Sequence, residues 1–284
     1  MAAQLVPVTQ ADIQSALRQL GLAGQAVCVH ASLRSFGRVS GGAQAVVQAF
    51  LAEGCTLMAP SFSYDFAIAP PPDLRVPRNG LHYDRPYPGN TAGAHRRYTP
   101  ASQEIDAGMG AIAAAVVQHP ERLRGRHPLN SFSAVGPLAA RLIAGQAPLA
   151  VYAPLRALVE VEGFVLLMGV RLDSMTLLHL AEQEAGRVPF RRWANDSAGR
   201  PQMVEAGGCS DGFERLAPVL RPWQRQIAVG ASRWQVYPAG PALEAAAAAI
   251  RADPQITHCG NPDCERCNDA LLGGPQLLVR APLV

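Results

Sequence analysis

The chain reads as an α/β protein with a central sheet flanked by helices and a smaller, mostly β subregion toward the C-terminus. Three observations carry this reading. Short apolar runs bounded by turn residues, Ala26 to Val29, Cys55 to Ala59 and Phe164 to Val170, have the unbroken hydrophobicity of strands buried on both faces. Segments with apolar residues at helical spacing lie between and beside them. Past Val188 the pattern changes, and Trp193, Asn195, Gly207-Gly208 and Trp223 break the chain into short polar and apolar pieces.

The elements follow in order. Asp12 to Leu20 has helical spacing and stops at Gly21; the strand from Ala26 comes next, then a polar loop, His30 to Gly37. Gly41-Gly42 opens a second helix that runs to Leu51, and the strand from Cys55 closes at Pro60, completing a βαβ signature. Residues from about 61 to 100 are dense in proline, aromatics and charge with little periodicity, too long for a plain connection. They are expected to form a lid or a substrate-binding insertion within a single domain spanning 1–284. Helices are expected from about Asp106 to Val117, from Pro137 to Ile143, over the segment carrying His179, and over the alanine-rich Leu243 to Ile250.

Composition narrows the function classes. Of 284 residues 49% are hydrophobic, enough for a substantial core, and the formal charge is +3. Its arginines are scattered and form no basic, aromatic stripe, so nucleic acid is not an expected partner. No apolar run approaches the roughly 20 residues of a membrane span, and no basic-then-apolar leader opens the chain. A cytoplasmic protein, monomer or homodimer, is expected.

The segment Met175-Thr-Leu-Leu-His-Leu-Ala-Glu182 follows the apolar strand at 164 directly and sets His179 and Glu182 one helical turn apart. A base and its orienting carboxylate would then stand beyond a strand's carboxyl end, where open α/β sheets bind ligands. The competing reading is a histidine that caps the core beside a solvated glutamate. The loop from His30 to Gly42 supplies hydroxyls, glycines and arginines where backbone N–H groups at a helix start face a phosphate, although it is neither a Walker loop nor a dinucleotide fingerprint.

Three segments resemble the aminoglycoside 3-N-acetyltransferases, and they occur in that family's order. His30-Ala-Ser-Leu-Arg-Ser-Phe-Gly37 is similar to its VH-S-SL-x-x-x-G segment, Arg124-Gly-Arg-His-Pro-Leu-Asn-Ser-Phe132 to RS-x-HP-x-x-SF, and Thr176-Leu-Leu-His-Leu-Ala-Glu182 to T-x-x-H-x-AE. Gly125 stands where the family usually has serine. The resemblance implies the antibiotic N-acetyltransferase fold, acetyl-coenzyme A as cosubstrate and a primary amine of a small molecule as acceptor, foremost the 3-amino group of an aminoglycoside. It also implies that His30, Ser32, Leu33, Arg34, Ser35, Phe36 and Gly37, with Ser131 and Phe132, hold coenzyme A.

Acetyl transfer to an amine needs a base to take the ammonium proton, and a neutral histidine backed by a carboxylate is suited to that task. His179 is the candidate base, Glu182 its partner, and Thr176 or nearby backbone N–H groups the candidate donors to the developing oxyanion. No serine or cysteine stands in a nucleophile elbow, so direct transfer is expected. His127, before a proline and beside two arginines, is expected to shape its loop. Carboxylates should meet an acceptor's ammonium groups. Asp65, Asp84 and the neighbouring Tyr64 are the candidates, with Asp73 and Asp173 also in candidate loops. Two other classes compete: a metal-stabilised, non-catalytic binding protein and an acyl-coenzyme A thioester hydrolase.

Cys259-Gly-Asn-Pro-Asp-Cys-Glu-Arg-Cys267, inside a cysteine-rich stretch at about 255–272, has the close thiol spacing of a zinc knuckle. Cys209 is the first candidate for a fourth ligand to Cys259, Cys264 and Cys267, and His258 the second. Closed zinc would pin the C-terminal extension to the body; free thiols are the competing reading. Cys28 and Cys55 belong to apolar strands and to the core.

Overall fold

The computed structural model describes residues 6–85 and 95–277. The first helix, α1 (Gln10–Gln19), starts at a reciprocal cap: Thr9 Oγ1 accepts from the Asp12 N–H, and the Asp12 carboxylate accepts from the Thr9 N–H. The order continues β1 (Ala26–Ala31), α2 (Gly42–Ala52), β2 (Thr56–Pro60), α3 (Gly110–Gln118), β3 (Leu123–Arg124), β4 (Phe132–Val135), α4 (Ala139–Ile143), α5 (Ala153–Glu160), β5 (Phe164–Met168) and α6 (Leu177–Glu184). Then come β6 (Phe190–Asn195), β7 (Pro201–Ala206), α7 (Ala217–Leu220), β8 (Arg225–Val229), β9 (Ser232–Pro238), α8 (Ala239–Ala252) and α9 (Glu265–Leu271).

Seven strands form the main sheet in the order β3-β4-β2-β1-β5-β9-β8. β2, β1 and β5 are mutually parallel at its centre, with Cys28 opposite Met58 on one side and Val165 on the other; the outer strands are antiparallel. Because alternate residues of a strand point to opposite faces, Ala26, Cys28, Val165 and Leu167 feed one core while Val27, Val29, Leu166 and Met168 feed the other. The first core is covered by α4 to α8, the second by α1 to α3. The result is a three-layer α/β/α sandwich, and strands buried on both faces explain why the sequence shows no polar alternation there.

The β content expected past Val188 is split. β6 and β7 pair as a separate ribbon, whereas β8 and β9 extend the main sheet and α8 packs against it. The helix expected from Asp106 begins as a 3₁₀ turn, Ala107–Met109, with the Asp106 side chain accepting from the Gly108 N–H; α3 proper starts at Gly110. Within the proline-rich insertion, Ile68 N–H bonds the Trp193 carbonyl, and Phe66, Ala67 and Leu129 pack with Ala194 and Val204 of the ribbon. Residues 86–94 of that insertion, Tyr87 among them, lie outside the described residues. No described helix is long and apolar enough to cross a membrane.

Candidate active site

β1 and β5 are neighbours, and the chain leaves β1 toward α2 on one face of the sheet and leaves β5 toward α6 on the other. That divergence leaves a crevice beyond the strands' ends. Here it is a cavity of about 750 Å³, whose walls include His30 and Ala31 at the end of β1, Pro60 at the end of β2, and Thr176 and His179 beyond β5.

The His179 ring is fixed on several sides. Nδ1 lies 2.8 Å from Glu182 Oε2, and the two side chains are only 13% and 11% exposed. Tyr152 stacks parallel to the imidazole at 6.3 Å, and Phe213 meets it edge-on at 4.8 Å. The other carboxylate oxygen of Glu182 accepts from Arg187 Nη1 and, at 3.2 Å, from the Thr257 hydroxyl. The carboxylate is thus shared between an arginine and the imidazole, which keeps the ring oriented. Burial, with Glu182 nearby, pushes the Tyr152 phenol well above its ordinary range, so it stays a neutral stacking partner. Among the described residues no hydrogen-bond partner takes Nε2. It lies beside Gly207 in the cavity wall, where a Cβ would stand 3.2 Å from Nε2 and 2.9 Å from the Tyr152 hydroxyl. Glycine is therefore required by close approach.

The expected site residues divide by position. Tyr64, Asp65, Thr176, His179 and His30 line the cavity, with Glu182 directly behind His179. Asp65 pairs with Arg96 at 3.1 Å, and Tyr64 Oη accepts from Asn130 Nδ2 at 3.3 Å. Asp106 and Asp173 add carboxylates to the wall, while Arg192 and Arg266 add guanidinium groups, so the cavity carries both signs. Asp84 and Asp73 are exposed and stand outside the cavity wall.

The loop after β1 forms a 3₁₀ turn, Leu33–Phe36, with Gly37 at φ +82°. The Ser35 hydroxyl bonds the Ser32 carbonyl and the Ser232 hydroxyl, both at 2.7 Å, and Phe36 is buried edge-on against Trp234. Ser32 and Leu33 are half-buried, and Arg34 and Gly37 exposed. None of residues 32–37 is in the cavity wall, which this loop only adjoins through Ala31.

Ser131 and Phe132 sit behind the wall. The Ser131 hydroxyl accepts from Arg124 Nε at 2.9 Å and donates to the Ser61 carbonyl at 2.8 Å, while Phe132 packs edge-on to Phe62. Arg124, buried, also donates to the Ser61, Ser102 and Glu104 carbonyls, so this motif ties together the strands and loops that shape the cavity floor. Gly125 beside it has Gln146 where a side chain would go; Gln146 in turn bonds Phe132 N–H, and the Asn130 and Val151 carbonyls. That contact accounts for a glycine at this position.

The four remaining candidates also converge. The sulfurs of Cys209, Cys259, Cys264 and Cys267 lie within 4.8 Å of one another, and none is in a disulfide. Burial pushes the Cys209 thiol up to about 12. Burial acts in the same direction on Cys264, but hydrogen bonds from the Cys267 backbone and from the other three thiols outweigh it and lower that thiol.

Sequence reasoning missed Arg187, Thr257, Tyr152, Phe213 and Gly207. Only Arg187, five residues past Glu182, carried a local signal; the others reach His179 and Glu182 through the fold.

This fold is shared with the solved aminoglycoside acetyltransferase AAC(3)-IVa, which superposes with a TM-score of 0.75 over 95% of this chain and 100% of that one at 24% identity. AAC-IIIb, solved as a binary complex with CoASH, superposes at 0.71 over 87% and 97%, also at 24%. The chain belongs to the aminoglycoside 3-N-acetyltransferase family, whose sequence profile matches residues 28–251. Aminoglycoside N(3)-acetyltransferase IX of Micromonospora chalcea is 38% identical over 184 residues, a match that spans 62% of this chain and 62% of that relative's length.

Proposed function

We propose that the protein is an acetyl-coenzyme A-dependent N-acetyltransferase acting on a primary amine of a small molecule, foremost the 3-amino group of an aminoglycoside. The observation that carries this reading is a histidine anchored by a buried carboxylate, with its second nitrogen on the wall of the cavity. Family membership and the CoASH complex of a structural relative support the donor.

In this reading His179 Nε2 takes a proton from the acceptor nitrogen as that nitrogen bonds to the thioester carbonyl carbon, and Glu182 stabilises the imidazolium that forms. Thr176 and backbone N–H groups at the start of α6 face the negative charge developing on the carbonyl oxygen. As the carbon–sulfur bond breaks, the imidazolium returns its proton to the leaving thiolate, and His179 is regenerated. His30 and the α3 start border the donor's path; Ser32, Arg34 and Gly37 beside it hold phosphate, and Ser131 and Phe132 act from behind the wall. Tyr64 and Asp65 receive the acceptor. The four-cysteine cluster is a structural zinc site, and six cysteines outside any disulfide fit a reducing, cytoplasmic setting.

The test is thiol release from acetyl-coenzyme A with a panel of aminoglycosides and simpler amines, read together with product mass. Stoichiometric thiol and singly acetylated amine are expected. Thiol and acetate released without amine would make the protein a hydrolase, and no release with any acceptor would leave it a binding protein.

A further inference from the structure

Two segments far apart in sequence press on the His179–Glu182 pair, and both lead into the same cluster of thiols. After β7, Gly207 crowds His179 Nε2, Gly208 and Ser210 line the cavity, and Cys209 between them is buried. Ahead of α9, Thr257 donates to Glu182 Oε1 at 3.2 Å and accepts from Arg187 Nη1 at 2.7 Å; Cys259 follows two residues later. The two segments also touch directly, since Gly212 packs its bare Cα against the Thr257 carbonyl.

Four sulfurs about 2.3 Å from a tetrahedral zinc stand ~3.8 Å apart. The sulfurs of Cys209, Cys259, Cys264 and Cys267 already lie within 4.8 Å of one another. An all-thiolate donor set selects zinc over hard cations, and four protein ligands leave no open position for substrate or water.

We propose that one zinc ion bound by Cys209, Cys259, Cys264 and Cys267 clasps segment 207–210 to segment 257–267 and so positions both members of the pair, fixing the wall against His179 and the hydroxyl against Glu182. The clasp rests on the reading of His179 and Glu182 as the working pair. It acts from behind them, as outer-shell groups do when they orient a ligand or base. Its consequence is directional. Zinc loss relaxes the wall beside His179 and the Glu182 anchor but leaves the donor side, built from β1 and α3, intact.

The test begins with metal analysis of the purified full chain, where one zinc per protein is expected and none would overturn the clasp. Zinc is then removed with a chelator, or by Cys264→Ser, under conditions in which circular dichroism still reports the folded sheet. A fall in kcat of about tenfold or more is expected, with KM for acetyl-coenzyme A within about twofold. Hydrogen exchange should accelerate across 204–212, 254–268 and the C-terminal half of α6, and not in β1 or β5. Unchanged kcat together with unchanged exchange in α6 would overturn the proposal.

If chelation unfolds the whole chain, Thr257→Val decides. It should retain zinc yet lower kcat and alter its pH profile; a variant indistinguishable from wild type would overturn the link to Glu182. If the zinc-loaded protein acetylates no amine, the acetyltransferase reading fails, and the exchange measurements still decide the clasp.

Discussion

The loop around His127 and the helix around His179 hold two histidines of opposite character. His127 is fully buried, and both ring nitrogens are used by backbone: Nδ1 accepts from the N–H groups of Leu129 and Asn130, so Nε2 must carry the hydrogen donated to the Glu205 carbonyl at 2.8 Å. Burial pushes it down to about 4, and it stays neutral. His179 instead has a carboxylate on Nδ1 and the cavity beside Nε2. One ring has spent its polarity on the chain, as a brace does; the other has a nitrogen at the cavity with no partner among the described residues, as the proposed base requires.

Exchanging each ring for alanine separates the roles most sharply. His179→Ala should lower kcat by about 10²- to 10⁴-fold with little change in thermal midpoint. His127→Ala should strand two buried N–H groups and cost about 3 kcal/mol of stability, while the folded fraction keeps a kcat within a few-fold of wild type. Steady-state kinetics paired with calorimetry checks both, and near-normal turnover in His179→Ala would remove it as the base.

A smaller effect is expected from Glu182→Gln, which keeps the shape behind His179 and removes the charge. The rate should fall by about 10- to 10²-fold, with the acidic limb of the pH–rate profile displaced because the imidazolium has lost its counter-ion. A profile superposable on wild type would show that Glu182 does not tune His179.

A further effect is on stability alone. Burial pushes both His127 and His30 down to about 4 from the ordinary 6.5. Above pH 6.5 neither the folded nor the unfolded chain protonates them, and their contribution is fully present. As pH falls from 6.5 toward 4 the unfolded chain binds protons that the folded chain refuses, so stability is lost. At pH 5 that loss is on the order of 2 kcal/mol per histidine. Urea unfolding at pH 7 and pH 5 measures it, and a midpoint that does not fall would mean that neither ring is held neutral.

Local pattern carried much of this architecture. β1, α2, β2, β5 and α6 were legible because each is a short run with its own period and its own stop. β4 was not, since Phe132 to Val135 is only four residues and sits within a motif read for chemistry. α5 was hidden by Pro154, which breaks a helix interior but is tolerated in the first turn, where it stands. β8 and β9 fall within a stretch read only as mostly β, and their place at the main sheet's edge depends on long-range pairing with β5. The site divides likewise. His179 and Glu182 are one turn apart on one helix, so spacing alone brings them together. Thr257 and Gly207 reach them only once the fold is closed, and no window of sequence contains that meeting. The convergence of Cys209 on the other three cysteines is the exception, because thiol chemistry makes a distant residue a natural fourth member.

The order of the main sheet also bears on edge-to-edge pairing of its strands with another chain. One border is β3, a strand of only two residues, one of which, Arg124, turns its guanidinium inward to brace neighbouring carbonyls. The other is β8, where Arg225 and Gln226 are exposed and only Val229 is buried. A long, flat, apolar border would offer its unpaired N–H and C=O groups as a template for another chain. This sheet keeps its longest apolar runs in the middle and presents a stub on one side and a five-residue strand opening with exposed Arg225 and Gln226 on the other, so the central strands are shielded from intermolecular pairing by the outer ones.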